Sequence, residues 1–202
     1  MIGPKERLSR REGMNLFVKG AKSFSSKEAW TKRQTRPGQH GATPSRMSTY
    51  ARQLREKQKV KRMYGMKEKQ FRTFYAKALR TATNTNQDKG YIFLQLLERR
   101  LDNVIYVASL AKSKNAARQL VAHRHVKVNG KRLGSPSAIV NVGDVIEISE
   151  KLADLVKADY KGVVIPSWVT PEGNKIVVAA LPTRDQIDPS IKESLIVELY
   201  SR

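Results

Sequence analysis

Residues 98–130 read ERRLDNVIYVASLAKSKNAARQLVAHRHVKVNG, and the periodicities within this stretch decide the fold. Leu94, Leu97, Leu101, Val104, Ile105 and Ala108 recur at three- and four-residue spacing, which predicts one helix with a buried face. A second helix begins after Ser113, whose hydroxyl suits an N-cap, and Ala116, Ala117, Leu120 and Val121 give it a narrow apolar stripe. Val126 and Val128 alternate with Lys127 and run into Asn129-Gly130, a dipeptide that tolerates the positive φ values of a two-residue hairpin turn. Two short helices packed on a strand pair follow from this pattern. Arg99, Arg100, Asn115, Arg118, Gln119, Arg124, Lys127 and Lys131 lie outside its apolar positions.

Thirty-nine Lys and Arg against eighteen Asp and Glu give a net charge of +21 on 202 residues, which points to a polyanionic partner. The charge is uneven. Residues 1–90 hold 23 basic and 6 acidic side chains, residues 91–149 hold 9 and 4, and residues 150–202 hold 7 and 8. No acidic residue separates Glu28 from Glu56, while Lys32, Arg33, Arg36, Arg46, Arg52 and Arg55 fall in that gap. Such a segment repels itself unless phosphates neutralise it. With no cysteine, disulfides, thiol chemistry and cysteine-based zinc sites are excluded. The N-terminus lacks the apolar core of a signal peptide, and no run reaches the roughly 18–20 apolar residues of a membrane span, so an intracellular, soluble protein is expected.

The chain divides by composition. Residues 1–46 carry few apolar side chains and are expected to be irregular, ordered largely by a partner. Ser48 caps a predicted helix that ends at Gly65, and another begins near Lys67 with Phe71, Phe74, Tyr75, Ala78 and Leu79 as its core stripe. The polar run from Thr83 to Gly90 reads as a linker. Further strands are expected at Val145–Ile148 and from Ile176 to Leu181. Asp188-Pro189 signals the start of a last helix, with Ile191, Leu195, Ile196 and Leu199 on one face.

The stretch 98–130 resembles the small RNA-binding module named after the fourth small-subunit ribosomal protein, a module also found in pseudouridine synthases and tyrosyl-tRNA synthetases. The rest of the chain narrows this. GPK at 3–5, SRREG at 9–13, PGQHG at 37–41, QLREKQKV at 53–60, YG at 64–65, LLERRLDNV at 96–104, ARQLV at 117–121, GDVI at 143–146, LPTR at 181–184 and LIVELYSR at 195–202 resemble, in order, the bacterial form of small-subunit ribosomal protein four. The resemblance implies an α+β fold: a helical lobe with an irregular basic N-terminal extension, plus an inserted RNA-binding module of short helices packed on a small, mainly antiparallel sheet. The expected division is 1–46 for the extension, 47–90 for the helical lobe with 182–202 packing back on it, and 91–181 for the module and following strands.

The resemblance further implies a cytoplasmic, structural, rRNA-binding protein of the small ribosomal subunit that nucleates assembly of the subunit body. It implies contact with the fifth small-subunit ribosomal protein and with mRNA where that strand enters the subunit, and a part in translational accuracy. Neither a cofactor nor a small-molecule substrate is implied. The candidate rRNA-binding set in the first part of the chain is Arg10, Arg11, Lys19, Lys22, Lys32, Arg33, Arg36, Gln39, His40, Tyr50, Arg52, Gln53, Arg55, Lys57, Gln58, Lys59, Lys61, Arg62, Lys69 and Arg72. In the module it is Arg99, Arg100, Asn115, Arg118, Gln119, His123, Arg124, Lys127 and Lys131, and Arg46 is the candidate for mRNA. Two features depart from the family. Zinc-binding relatives carry cysteines where this chain has Glu6, Ser9, Ser23 and Glu28, a poor donor set for Zn²⁺, so no metal is expected. After PGQHG, Thr43-Pro44-Ser45-Arg46 keeps a single cation where relatives often have several. Arg100-Leu101-Asp102 resembles the motif that holds the catalytic aspartate of pseudouridine synthases, but it lies inside the module helix and no segment is long enough for that catalytic domain.

Overall fold

The Asn129-Gly130 turn closes a hairpin between β1 (Val126–Val128) and β2 (Lys131–Arg132), with both turn residues at positive φ (51° and 77°). The asparagine does more than tolerate that backbone. Its Oδ1 accepts from Val145 N at 2.9 Å and its Nδ2 donates to Asp144 Oδ1 at 2.8 Å, which ties the turn to the start of β3 (Val145–Ile148). Asn129→Ala is therefore expected to cost about 1–2 kcal/mol, since alanine strains at this φ and leaves both partners without it. Asn129→Gly, which keeps the backbone free, should cost less; a urea titration of the two variants checks the order.

The computed structural model describes residues 4–43, 46–150, 152 and 164–201. Gly3 of the GPK stretch, Pro44, Ser45 and Arg202 lie outside the described residues. Two compact units are present: one formed by the chain up to Phe93 and again from Asp188, the other by Leu94–Ile187.

In the second unit the antiparallel sheet has the order β2-β1-β3-β5-β4, where β4 is Val169–Glu172 and β5 is Lys175–Val178. Alternation sends Val126, Ile146, Ile148, Ile176 and Val178 into the core. There they meet Leu101, Val104 and Ile105 of one helix, Ala117, Leu120 and Val121 of another, and Trp168, which is 1 % exposed. Those helices are α6 (Leu101–Val107) and α7 (Lys114–Ala122), the latter capped as expected by Ser113 Oγ on Ala116 N.

The continuous helix expected from Leu94 to Ala108 is instead two. Helix α5 (Lys89–Glu98) stops, Arg100 adopts an extended backbone bridged to Ile139, and α6 starts afresh. The cause lies far along the chain. Leu101 N donates to Ala138 O at 2.8 Å, Asp102 N to Pro136 O at 3.2 Å and Val140 N to Arg99 O at 3.0 Å, so residues 136–140 satisfy the first free N–H groups of α6. Local periodicity survives the break because Leu94 and Leu97 of α5 and Leu101, Val104 and Ile105 of α6 are all buried.

In the first unit, α3 (Thr49–Met63) begins at a Ser48 cap, and α4 (Glu68–Thr85) buries Phe71, Tyr75, Ala78 and Ala82. Phe71 meets Phe93 edge-on at 5.0 Å, and Tyr75 stacks on Tyr200 at 4.4 Å, so these aromatics are core and not platforms for bases. The expected linker is shorter than its composition suggests. Thr83 and Thr85 return their hydroxyls to the carbonyls four residues back, keeping the polar end of α4 helical until Asn86 turns at φ 51°. The last helix, α8 (Glu193–Tyr200), begins later than Asp188-Pro189 suggests, because Asp188 Oδ1 accepts from Ser190 N and closes a turn first.

The irregular structure expected for residues 1–46 is only partly found. Helix α1 (Lys5–Glu12) ends at Gly13 (φ 70°), a 3₁₀ turn covers Gly20–Phe24, and α2 (Ala29–Lys32) is capped by the Glu28 carboxylate. Leu16 and Val18 are buried at 1 % and 7 % exposure, and Glu12 joins α1 to α3 through Arg55 and Arg62. A few well-spaced apolar anchors and one buried ion cluster replace the large core that this segment lacks.

Candidate nucleic-acid interface

The sequence offers its basic residues as equals, and the structure sorts them by whether the chain already uses their charge. In α3, Gln53 donates to Glu198 at 2.8 Å, Lys57 Nζ lies 2.6 Å from Glu68, and Lys59 Nζ reaches both Ser190 O and Glu56 at 2.6 Å. These three side chains are buried and fasten α3 to α4, α8 and the turn before it. The α3 face proposed for RNA is thus partly an internal seam, because a helix that is basic all round must bury some of its cations once two neighbours pack on it. Arg55 and Arg62 converge on Glu12, and Lys61 joins Lys57 on Glu68 at 2.8 Å. Burial pushes the Glu12 carboxyl above the ordinary carboxylate range, against the pull of Arg62 and Arg55.

Glu68 goes the other way. Burial raises its pKa, but hydrogen bonds and charge from Lys57 and Lys61 together hold it below its ordinary 4.5. A carboxylate with a depressed folded-state pKa contributes stability above its unfolded pKa and loses it as pH falls through the folded value. Glu68→Gln is expected to lower stability at neutral pH by about 1 kcal/mol or less, since the side chain is 42 % exposed and screened. The gap between the two proteins should close as acid is added, which urea midpoints measured across the acid limb would check.

The candidate side chains left outward are a distinct set. Arg11, Lys32, Arg33, Gln39, His40, Arg46, Tyr50, Arg52, Lys69 and Arg72 are exposed, and Arg36 and Gln58 are half-buried. Arg10 is half-buried and spends its guanidinium on Thr35 and the Arg36 carbonyl. Lys19 and Lys22 are exposed but lean on Glu6. Sequence reasoning missed Lys77 and Arg80, which are exposed on α4 with Lys69 and Arg72. The signal was present: these positions are the complement of the Phe71, Tyr75, Ala78, Ala82 stripe.

In the module, Gln119, His123, Arg124, Lys127 and Lys131 are exposed, and Asn115 and Arg118 are half-buried. Arg132, next to Lys131, is also exposed and was missed. Arg99 is engaged, with Nε on Val140 O at 2.9 Å and Nη2 on Asn141 Oδ1 at 2.6 Å. Arg100 is a correction. It is 0 % exposed and its fork grips Asp102, Nε to Oδ1 at 3.1 Å and Nη2 to Oδ2 at 2.7 Å, so it presents nothing to RNA. Arg118 Nη1 stands 3.5 Å from the same carboxylate, which turns part of the guanidinium inward although the side chain remains 37 % exposed. Asp102, held by two guanidiniums, is a structural anchor and has no room to act as a nucleophile.

Glu6, Ser9, Ser23 and Glu28 do line one small hollow. The Lys22 ammonium binds Glu6, Ser23 Oγ accepts from Lys19 N at 3.1 Å, and Glu28 Oε2 accepts from Trp30 N and Thr31 N at 2.7 and 2.8 Å. With an ammonium on one carboxylate and a helix cap on the other, this donor set does not fit Zn²⁺.

Comparison with known proteins finds two family profiles on this chain. The profile described as "Ribosomal protein S4/S9 N-terminal domain" matches residues 1–98, and that described as "S4 domain" matches residues 99–146. A protein of Caldicellulosiruptor saccharolyticus named small ribosomal subunit protein uS4 is 49% identical over 208 aligned residues, covering 100% of this chain and 98% of its own length. Proteins of Alkaliphilus metalliredigens (uS4A, 46% identical, covering 97% of this chain and 96% of its own) and Petrotoga mobilis (uS4, 43% identical, 100% and 98%) match in the same way. With both profiles laid end to end over residues 1–146, and with relatives aligned across the whole length, the chain belongs to the uS4 family of small-subunit ribosomal proteins.

Proposed function

We propose that this chain is a structural component of the small ribosomal subunit in the cytoplasm, and that it binds 16S-type rRNA directly and early, nucleating assembly of the subunit body. The observation that carries this is the separation of cations into two groups: those spent on internal carboxylates and carbonyls, and an outward set on each unit that only a polyanion would neutralise. Affinity comes from the outward phosphate contacts. Selectivity comes from the shape and 2′-hydroxyls of a folded junction, because side chains read the deep groove of A-form RNA poorly.

The test is binding to protein-free 16S-type rRNA, followed by sedimentation of the chain with small subunits after a high-salt wash. A chain that binds rRNA only after other proteins have been added is no nucleator. A chain washed off at moderate salt is no integral component.

Two finer roles rest on family resemblance. Contact with mRNA would rely on Arg46, which is exposed, and on few other cations near it, so the grip on a single strand at that point is weak. Contact with the fifth small-subunit protein, and through it an effect on decoding accuracy, is tested by direct association of the two purified proteins and by misreading rates in vitro.

A further inference from the structure

The outer face of the module's sheet carries a charged row in register. Arg132 of β2 pairs with Lys127 of β1, Lys127 with Glu147 of β3, and Glu147 with Lys175 of β5. At one end Lys175 meets Glu147 at 2.9 Å, leaving Lys127 and Arg132 as the end with an excess of positive charge. Lys127, Arg132 and Glu147 of this row line an open cleft of about 720 Å³ together with the turn His123-Arg124-His125. The two imidazole rings lie 7° from parallel, with centroids 6.2 Å apart.

Arg124 is the informative residue. It occupies the left-handed position after α7, at φ 59°, where its N–H bonds Val121 O and that of His125 bonds Leu120 O. Glycine serves this helix-ending position without strain, and arginine does not. The chain nevertheless makes room for it. A Cβ added at Gly134 would come within 3.3 Å of Arg124 Cγ and 3.5 Å of Nε, so the arginine stem lies close along the glycine backbone. The left-handed backbone and the close approach of Gly134 place the arginine side chain at the cleft.

We propose that this cleft seats one unpaired RNA nucleotide, its phosphate on Arg124, Lys127 and Arg132 and its base stacked on the His123 and His125 rings. Stacking on aromatic rings beside a cationic strip is how single-stranded bases are held without reading their sequence. Glu150, which also lines the cleft, disfavours a second phosphate, so the cleft takes one splayed nucleotide and does not track a backbone. This goes beyond general phosphate contact by the module, and it rests on the reading of the module as RNA-binding.

The test uses the full chain, a cytidylate hexamer, an abasic hexamer of equal charge and a duplex of equal length, followed by proton NMR of the imidazole resonances. The chain has three histidines, and His40 in the other unit, which among the described residues has no ring partner like the His123–His125 pair, separates a base-stacking shift in the cleft from phosphate contact elsewhere. The cytidylate hexamer should move His123 and His125 upfield by ring current and leave His40 in place, whereas the abasic strand and the duplex should not produce the upfield shift. Arg124→Gly relieves the left-handed strain, so its urea midpoint should stay or rise, while hexamer affinity read at His123 falls about tenfold. Equal shifts from the abasic strand, or unchanged affinity in Arg124→Gly, overturn the proposal. Silent His123 and His125 in a chain that still binds 16S-type rRNA overturn the cleft alone. Failure to bind either RNA overturns the reading beneath it as well.

Discussion

Arg100→Ala is expected to destabilise the module by about 3–5 kcal/mol, the cost of leaving a buried charge without its partner. Asp102 has a side chain only 8% exposed, and without the Arg100 fork it keeps only Arg118, at 3.5 Å. The substitution also weakens the junction between α5 and α6, since the extended Arg100 backbone is where residues 136–140 dock. Unfolding in urea, followed by the fluorescence of Trp168 in a Trp30→Phe background, isolates the module, because the chain has two tryptophans and Trp168 is buried in the module core. Asp102→Ala should also be damaging, as it takes both fork contacts from a guanidinium that is 0 % exposed. The double variant Arg100→Met, Asp102→Leu should recover most of the loss, because a buried ion pair replaced by apolar groups no longer carries a desolvation cost. If the double variant is as unstable as either single one, the bridge to Ile139 and the shape of the side chains, not the ion pair, hold this junction.

How much of this was legible in the residues depends on how far each cause lies from its effect. The Asn129-Gly130 hairpin, the Ser48 and Ser113 caps and the Phe71-Tyr75-Ala78 stripe are consequences of neighbours within a few positions, and all were read directly. The break between α5 and α6 depends on carbonyls at 136 and 138, and no periodicity reports them. β4 was missed because Val169–Glu172 holds a proline and a glutamate and gains its place by pairing with β5. The candidate interface shows the same limit more sharply. Lys57 and Lys69 are chemically alike in sequence, yet one is held at 2.6 Å by Glu68 and the other is exposed. Charge can be counted along the chain, but whether a charge is already spent is a tertiary fact.

That distinction predicts a reversal between two sets of substitutions. Arg52, Lys69 and Arg72 are exposed on α3 and α4, and their combined replacement by alanine should leave the urea midpoint nearly unchanged. It should lower the slope of log affinity for 16S-type rRNA against log salt by about 2, at roughly 0.7–0.9 for each phosphate that the variant no longer neutralises. Lys57→Met and Lys59→Met should do the opposite. Each removes a cation that is buried and paired within the first unit, so stability falls while the salt slope of the folded protein holds, because no counterion is released by a charge that never meets a phosphate. Titrations from low to moderate salt, with the fraction folded measured in parallel, separate the two behaviours. A slope that drops with Lys57 and stays with Arg52 would mean that the internal ion pairs open on binding and that RNA takes the place of Glu68 and Glu56 as their partner. The helix α3 would then be a surface that the folded chain holds in reserve by neutralising it with its own carboxylates.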